Sequence, residues 1–242
     1  MEYKLKFSCY NERSILIEWP SLIDTNILKS ILNFKKIIQS HYVKQSVEII
    51  NAFNSILIIY DYTIDNINDE ILRLKSLKIN EIDIEDLKPN LWEIPVCYGN
   101  DFGVDLDDFS SKKDLSKREV IDLHSKVNYT IYFIGFLPGF LYLGGLDKKL
   151  NLDRKSTPNL YVEKGSVGIG GNQTGIYPQD SPGGWHIIGK TPIELFNPKT
   201  NPPSIFSSGD LIRFKPISKS EYLEIEHQID VGRFVLKPTL NA

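Results

Sequence analysis

Apolar residues recur at every second position near the start of the chain, over residues 3–9 and again over 15–19. This period of two predicts two strands, each with one buried face. From Asp24 or Thr25, either of which can cap a helix, to Ile38 the apolar residues fall at helical spacing. We therefore expect a pair of strands followed by an amphipathic helix.

The same two patterns follow once more. Val47 and Ile49 predict a third strand, the β-branched run 55–60 predicts a central strand, and residues 66–77 predict a second helix. The order ββαββα predicts an α+β N-terminal domain, a small sandwich over residues 1–88. Its single histidine, His41, lies in a polar link typical of a solvated side chain. We expect this domain to be a scaffold or a docking surface.

The backbone changes character after residue 88. None of the 16 glycines precedes Gly99, 12 of them lie from Gly135 to Gly189, and Pro20 is the only one of 13 prolines before Pro89. This shift indicates regular elements first and turns or ligand-lining loops afterwards.

Runs of β-rich sequence separated by turns predict a mainly-β second domain over residues 89–242. The expected strands are 129–134, 185–188, 193–196 and 211–215. Ser116 and Glu119 match a capping box, which predicts a short helix over 117–127. A succession of strands separated by turns favours a closed or nearly closed β-barrel.

His124 lies on the apolar side of this predicted helix. Burial on a helix face is enough to explain a core histidine whose ring is satisfied by neighbours. A role in a functional site is the alternative, and the sequence leaves both open.

Three glycine-rich segments carry the residue types of a binding site: 135–145, 165–175 and 177–186. The first interrupts any regular strand and combines glycine with aromatic side chains, which is typical of a pocket wall or of tight packing at a barrel corner. The second adds amide, hydroxyl and backbone N–H groups that can orient a ligand. The candidate ligand-binding residues are Phe140, Tyr142, Gly171, Gln173, Thr174, Tyr177, Ser181, Gly183, Gly184 and Trp185.

This region also matches a nucleotide-binding pattern, but its surroundings are not those of a P-loop. Residues 184–191 satisfy GxxxxGKT, but 185–188 is predicted to be a strand and Pro192 disfavours a helix at that point. We therefore expect Lys190 at a strand end or hairpin rather than in a P-loop.

Composition excludes several classes of function. The chain has 28 Lys and Arg against 31 Asp and Glu, a net charge of −3, so no basic field attracts nucleic acid or anionic lipid. Cys9 and Cys97 are too few for a disulfide scaffold and too far apart for a CxxC site, which suits a reducing compartment. The acidic segment 101–108 lacks EF-hand spacing, and no stretch nears 18 apolar residues. We expect a cytoplasmic protein without a metal, membrane or nucleic-acid site.

The glycine segments resemble one known family. GFLPGFLYLGGL (135–146), GSVGIGGNQTGIYP (165–178), SPGGWHIIGKTP (181–192) and SGDLIRFKPI (208–217) are similar to motifs of the PxpB/KipI family, also called allophanate hydrolase subunit 1 or the carboxyltransferase domain family. The similarity is dense over 92–217 and loose before it. It implies a small N-terminal α/β domain followed by a cyclophilin-like β-barrel.

The resemblance implies the B subunit of a bacterial ATP-dependent 5-oxoprolinase. Its expected partners are a barrel-bearing, KipA-like C subunit together with a LamB/YcsF-like A subunit. Such a complex opens the lactam of 5-oxo-L-proline to L-glutamate while hydrolysing ATP, expected as its Mg complex. Phosphorylation of the lactam oxygen needs donors aimed at phosphate oxygens. We expect His124 and Gln173 as the catalytic residues and no activity from this protein when it is isolated.

The chain departs from the family's usual sequence at two cationic positions. Asn159 stands where the family has the arginine of a TPR tripeptide, and this removes an anion contact. Arg154, Lys155 or Lys164 would have to replace it. Lys190 stands where the family usually has arginine. We count Arg154 and Lys190 among the candidate ligand-binding residues.

Two alternative functions stay open. The family's namesake inhibits a sporulation histidine kinase, and an exposed aromatic surface of the barrel would then bind a helical kinase domain. Related domains of urea amidolyase form half of a biotin-dependent carboxyltransferase, or an allophanate-hydrolase-like complex, which would require a biotinylated partner and a carboxyl acceptor.

Overall fold

The computed structural model describes residues 3–42, 46–77, 89–99 and 101–239. The chain divides into two compact units, Met1–Lys88 and Pro89–Ala242, and each has its own hydrophobic core. Residues 78–88, the end of the predicted first domain, lie outside the described residues.

The first unit contains a four-stranded antiparallel sheet and two helices. Its elements are β1 (Lys6–Asn11), β2 (Ser14–Glu18), α1 (Thr25–His41), β3 (Val47–Asn51), β4 (Ser55–Tyr60) and α2 (Ile67–Ser76), with the strands in the order β1-β2-β4-β3. β4 pairs on both sides, the central position that its β-branched sequence predicts. The Asp24 carboxylate accepts hydrogen bonds from the backbone N–H groups of Asn26 and Ile27 and so caps α1.

The second unit is built around a closed barrel of seven strands, in the order β10-β7-β6-β13-β5-β12-β9, which confirms the predicted barrel. Its elements are β5 (Leu91–Cys97), α3 (Leu106–Lys113), α4 (Lys117–Ser125), β6 (Tyr129–Ile134), β7 (Leu141–Gly144), a 3-10 helix (Lys148–Leu150), β8 (Asn159–Val162), β9 (Ser166–Gly170), β10 (Gln173–Ile176), β11 (Ser181–Gly183), β12 (His186–Lys190), β13 (Leu211–Ile217) and α5 (Lys219–Asp230). β13 runs parallel to β5. β8 and β11 form a separate two-stranded sheet.

Two sequence predictions in this unit are wrong. Residues 193–196 do not form a strand, although Ile193 and Leu195 are buried in the barrel core. The alternating burial there comes from an irregular backbone that packs on the barrel. An apolar residue at every second position does not distinguish such a segment from a paired strand. The glycine segment 135–145, expected to be irregular throughout, ends in strand β7.

The hairpin β9-β10 has two different faces. Ile169 and Thr174 are opposite each other and completely buried, and Ile169 belongs to the barrel core. Gly168, Gly170 and Gly175 occupy the alternate positions, and a Cβ added at any of them would point toward Trp185. The outer face of the barrel is therefore covered with glycine at this point, and it is here that the predicted site residues assemble.

Candidate functional site

An aromatic cluster packs on the outer face of the barrel at strands β7, β9 and β10. Phe140, Tyr177 and Trp185 are buried, and the Phe140 ring lies edge-on to the other two with centroids 5.5 Å apart in each pair. The half-buried Tyr142 ring lies 4.9 Å from Phe140. The structure thus brings four predicted residues together, but three of them form a small second core, and Tyr142 lies at its more accessible edge.

Glycine is required beneath this cluster because any side chain would overlap an aromatic ring. A Cβ at Gly170 would lie 2.5 Å from the Trp185 indole, and one at Gly175 would lie 3.0 Å from it. A Cβ at Gly183 would overlap the Tyr177 hydroxyl. The glycine clustering that suggests ligand-lining loops therefore serves close packing at these three positions.

The Tyr177 hydroxyl lies against Gly183, in the turn that leads to Trp185. Burial raises the pKa of the Tyr177 phenol, and a hydrogen bond from the Trp185 backbone N–H acts in the opposite direction. Because Gly183 leaves room for this hydroxyl, the turn before β12 and the end of β10 are joined at one point.

Arg154 lies over the outer side of Trp185, with Cζ 5.7 Å from the ring centroid, a cation–π distance. Its loop is attached to the barrel by backbone hydrogen bonds. Gly171 N–H donates to the Leu152 carbonyl at 2.7 Å, Leu152 N–H donates back at 3.0 Å, and Lys155 N–H donates to the Gly184 carbonyl at 2.8 Å. Arg154 itself is exposed and has no carboxylate partner among the described residues, so its charge is available to an anion.

Gln173 is the first residue of β10, and its side chain projects from the same outer face of the barrel. It pairs with Gly170, which lies beneath the indole, and it is two positions before Gly175, which also faces Trp185. Its Oε1 is buried and has no hydrogen-bond partner among the described residues. A buried acceptor without a donor costs roughly 1–3 kcal/mol, so a ligand N–H in this position would be favoured.

Asp105, which no sequence motif marks, fixes the loop that carries Arg154. Its carboxylate receives a hydrogen bond from Lys155 Nζ at 2.7 Å and another from the Ile187 backbone N–H at 2.7 Å. The Asp105 and Lys155 side chains are only 16% and 19% exposed. They lie 50 residues apart in the chain, and no local pattern could have paired them.

The other candidate cations, two proposed to replace the missing family arginine and Lys190, are engaged elsewhere. Lys155 binds Asp105, and Lys164 binds Glu194 at 3.0 Å. Lys190 forms an ion pair with Glu163. Of the candidates named from the sequence, Arg154 alone combines contact with the aromatic cluster and an unpaired charge within the described part of the chain.

His124 is completely buried in the barrel, and both ring nitrogens are used. The Thr174 hydroxyl donates to the Gly168 carbonyl at 3.0 Å, so it accepts from His124 Nε2–H at 2.8 Å, and Nδ1 accepts from the Tyr98 hydroxyl at 2.7 Å. The ring stacks on Phe214 with centroids 4.5 Å apart. Burial lowers the pKa of His124 to about 3. This geometry favours the core alternative for His124 and occupies the Thr174 hydroxyl, so neither side chain is free for a ligand.

The remaining predicted residues are dispersed around the turns. Gly171 has a positive φ of 68° and open space at its Cβ position, and a Cβ on Gly184 would meet only ordinary contacts from 3.7 Å. Ser181 lies in β11, and its buried Oγ has no partner among the described residues. The P-loop pattern falls on strand β12, as expected, so Lys190 ends a strand.

Several backbone amides of the glycine segments are bonded within the barrel. Gly165 N–H donates to the Tyr177 carbonyl at 2.8 Å, Gly171 N–H donates to Leu152, and Gly135 N–H donates to the Phe140 carbonyl at 3.1 Å. These donors do not form a cradle for phosphate, which requires N–H groups that point at the ligand.

Two kinds of feature are absent from the described residues. No group of three or more His, Cys, Asp and Glu side chains is arranged to hold a metal ion. Among the same residues, no helix has the length and apolar character needed to cross a membrane.

These features define a two-unit chain whose second unit is a seven-stranded barrel with an aromatic outer face. The family described as carboxyltransferase domain, subdomain C and D, matches residues 5–206, and the chain belongs to this family. The resemblance inferred from the glycine motifs is thereby confirmed.

Individual relatives agree with this assignment. The chain is 42% identical to the 5-oxoprolinase B subunit of Bacillus subtilis over 73% of this chain and 78% of that protein. It is 36% identical to the 5-oxoprolinase B subunit of Haemophilus influenzae over 84% of this chain and 94% of that protein. The crystal structure of Kluyveromyces lactis urea carboxylase matches 98% of this chain with a TM-score of 0.79 at 19% identity, and this chain covers 24% of it. That last likeness concerns the fold alone.

Proposed function

We propose that this chain is the B subunit of an ATP-dependent 5-oxoprolinase that acts with an A and a C subunit. The complex would convert 5-oxo-L-proline, ATP and two water molecules to L-glutamate, ADP and phosphate. The observation that carries the proposal is the similarity to 5-oxoprolinase B subunits at 42% and 36% identity over most of their length. A cytoplasmic location, where ATP is available, is part of this proposal.

The chemistry explains why ATP is needed. A lactam carbonyl is a poor electrophile, and transfer of the γ-phosphoryl group to its oxygen activates the ring carbon for attack by water. Water attacks this carbon and the C–N bond breaks, with the nitrogen taking up a proton to become the amine of glutamate. The phosphoryl group stays on the new carboxyl group as an acyl phosphate, which the second water molecule hydrolyses. One water molecule supplies the new carboxylate oxygen and the second ends in phosphate, so the atoms balance without a covalent nucleophile from the protein.

We assign the outer aromatic face to the oxoproline side of this reaction. Arg154 carries an unpaired charge and Gln173 an unpaired buried acceptor beside Trp185, both suited to a small polar substrate. The glycine amides described above are bonded within the barrel, so we assign the ATP phosphates and the accompanying Mg²⁺ to the A and C subunits. In this scheme the chain positions substrate, and it is inactive alone.

Reconstitution tests the proposal. The chain and the A and C subunits of the same organism are purified separately and mixed with 5-oxo-L-proline and ATP, and glutamate and ADP are measured. We expect glutamate only when all three proteins are present. Full glutamate formation by the A and C subunits without this chain would overturn the proposal.

The alternatives predict different results in parallel reactions. A kinase inhibitor would lower autophosphorylation of a sporulation-type histidine kinase and give no glutamate with the A and C subunits. Half of a biotin-dependent carboxyltransferase would require a biotinylated partner for turnover, and avidin would abolish its activity. We expect the oxoprolinase reaction to be insensitive to avidin.

A further inference from the structure

The outer face of the barrel presents two polar groups that the fold does not satisfy. One is the Arg154 guanidinium, which lies against Trp185 and has no carboxylate partner within the described part of the chain. The other is Gln173 Oε1, a buried acceptor without a donor there. A cation and a hydrogen-bond acceptor beside one apolar ring call for a ligand with an anionic group, an N–H donor and a small apolar body.

The backbone places both groups at the same ring. Trp185 lies over Gly170, and Gln173 is directly opposite Gly170 across the β9-β10 hairpin, so the Gln173 side chain begins beside the indole. The Leu152–Gly171 bridge brings the loop of Arg154 to the same hairpin. Asp105, through its bond to Lys155, holds the following residue of that loop.

Tyr142 belongs to the same aromatic cluster as Trp185. Burial raises the pKa of its hydroxyl, and the charge of Arg154 acts in the opposite direction, which places the guanidinium within electrostatic reach. The Tyr142 and Trp185 rings have centroids 6.5 Å apart. Tyr142 and Trp185 therefore form one aromatic surface, and Arg154 lies over its Trp185 ring.

We propose that Arg154 and Gln173 form the subsite for a cyclic amide acid, with Arg154 binding its carboxylate and Gln173 Oε1 accepting its amide N–H. The identification of this ligand with 5-oxo-L-proline rests on the proposed function. The chemical class rests on the two side chains alone. A lactam acid carries the anion and the N–H on adjacent ring atoms, with its methylene groups free to face the aromatic rings.

The test compares three compounds with the chain and two variants. 5-Oxo-L-proline has both groups, pyrrolidin-2-one lacks the carboxylate, and 5-oxotetrahydrofuran-2-carboxylate replaces the N–H by oxygen. Equilibrium binding to the chain, and to the chain mixed with the A and C subunits without ATP, is measured by isothermal titration. We expect unaltered protein to bind 5-oxo-L-proline at least about tenfold more tightly than either analogue.

Each variant should lose one discrimination and keep the other. Arg154→Gln should bind 5-oxo-L-proline and pyrrolidin-2-one equally while still preferring the lactam acid to the lactone acid. Gln173→Met should lose the preference for lactam over lactone while still preferring the acid. Arg118→Gln, which removes an exposed arginine of α4, is the matched control and should bind all three compounds like the unaltered protein.

The outcomes separate this subsite from the proposed reaction. Retained discrimination in both variants, or no saturable binding to the chain or to the mixture, would overturn the subsite even if glutamate is formed. The expected pattern without any glutamate would support the subsite and count against the oxoprolinase proposal. Unchanged melting temperatures of the variants show that the lost discrimination is local.

Discussion

His124 stays uncharged in the folded chain because burial lowers its pKa to about 3. In the unfolded chain the same imidazole has a pKa near 6.5, so below that pH the unfolded state binds a proton that the folded state excludes. Stability contributed by neutral His124 is therefore complete above pH 6.5 and is lost as the pH falls toward 3. A positive pKa shift would give the opposite sign.

This residue gives the first prediction. Between pH 7.5 and 5 the protonation of unfolded His124 should lower the free energy of unfolding by about 2 kcal/mol, and a His124→Gln variant should lack that contribution. Urea unfolding of both proteins at the two pH values measures it, since other titrations cancel in the difference. His41→Gln, which changes an exposed histidine at the end of α1, is the control. A difference between unaltered protein and His124→Gln that does not change with pH contradicts a buried neutral imidazole.

The glycine segments could be only partly understood from the sequence. Their composition fits both a pocket wall and tight packing, and the hairpin β9-β10 shows packing at Gly170 and Gly175. Whether a glycine lines a pocket or packs tightly depends on the position of Trp185. That position is set by contacts between strands, which a local sequence pattern does not show. Helix α3 was not predicted at all, because eight residues with Leu106 and Phe109 as its buried apolar positions give too short a pattern to detect.

Alanine substitutions in the glycine segments distinguish steric overlap with the Trp185 ring from strain in the backbone. Gly170→Ala places a Cβ 2.5 Å from the Trp185 indole, whereas at Gly184 the nearest atom is 3.7 Å away. We expect Gly170→Ala to cost about 1–3 kcal/mol in unfolding free energy and Gly184→Ala less than about 0.5 kcal/mol. Gly171→Ala, with a positive φ and open space, should cost about 1–2 kcal/mol from strain alone.

Urea midpoints of the three variants check this order, and tryptophan fluorescence reports whether Trp185 has moved. Only Gly170→Ala should change the emission, because only there does the new methyl group displace the ring. An unchanged Gly170→Ala protein would mean that Trp185 does not lie over β9.

Short-range periodicity predicted the four strands of the first unit, the long first helix and the barrel strands β6, β12 and β13, whereas β5, β7, β9, β10 and helix α5 were not predicted. The closed barrel was inferred from strands separated by turns. The closure itself could not be read locally. β13 pairs in parallel with β5, and Asp210 accepts hydrogen bonds from Asn90 N–H at 3.0 Å and Trp92 Nε1–H at 3.1 Å, 120 and 118 residues away. The candidate site has the same property, since the acceptor Gln173 and the cation Arg154 belong to different segments joined by the Leu152–Gly171 bridge.

Because the two units have separate cores, we expect each unit to lose its protection against amide hydrogen exchange independently of the other. Ile58 is completely buried in the first unit and Ile94 in the barrel, and each belongs to a different hydrophobic cluster. Substitution of either by alanine should cost about 2–5 kcal/mol in its own unit. Because native proteins open in cooperative local units, Ile58→Ala should speed amide exchange in β2 and β4 and leave β5 and β12 protected, and Ile94→Ala should do the reverse.

Hydrogen exchange followed by mass spectrometry, on the full chain, measures this directly. Ile50→Ala is the matched control, since Ile50 lies in the same sheet as Ile58 but is 45% exposed and should change exchange little. Equal acceleration throughout the chain in the Ile58→Ala protein would show that the units unfold as one. Independent opening would instead let the first unit be weakened without disturbing the barrel face that carries Arg154 and Gln173, so in the reconstituted complex Ile58→Ala should leave the Michaelis constant for 5-oxo-L-proline unchanged.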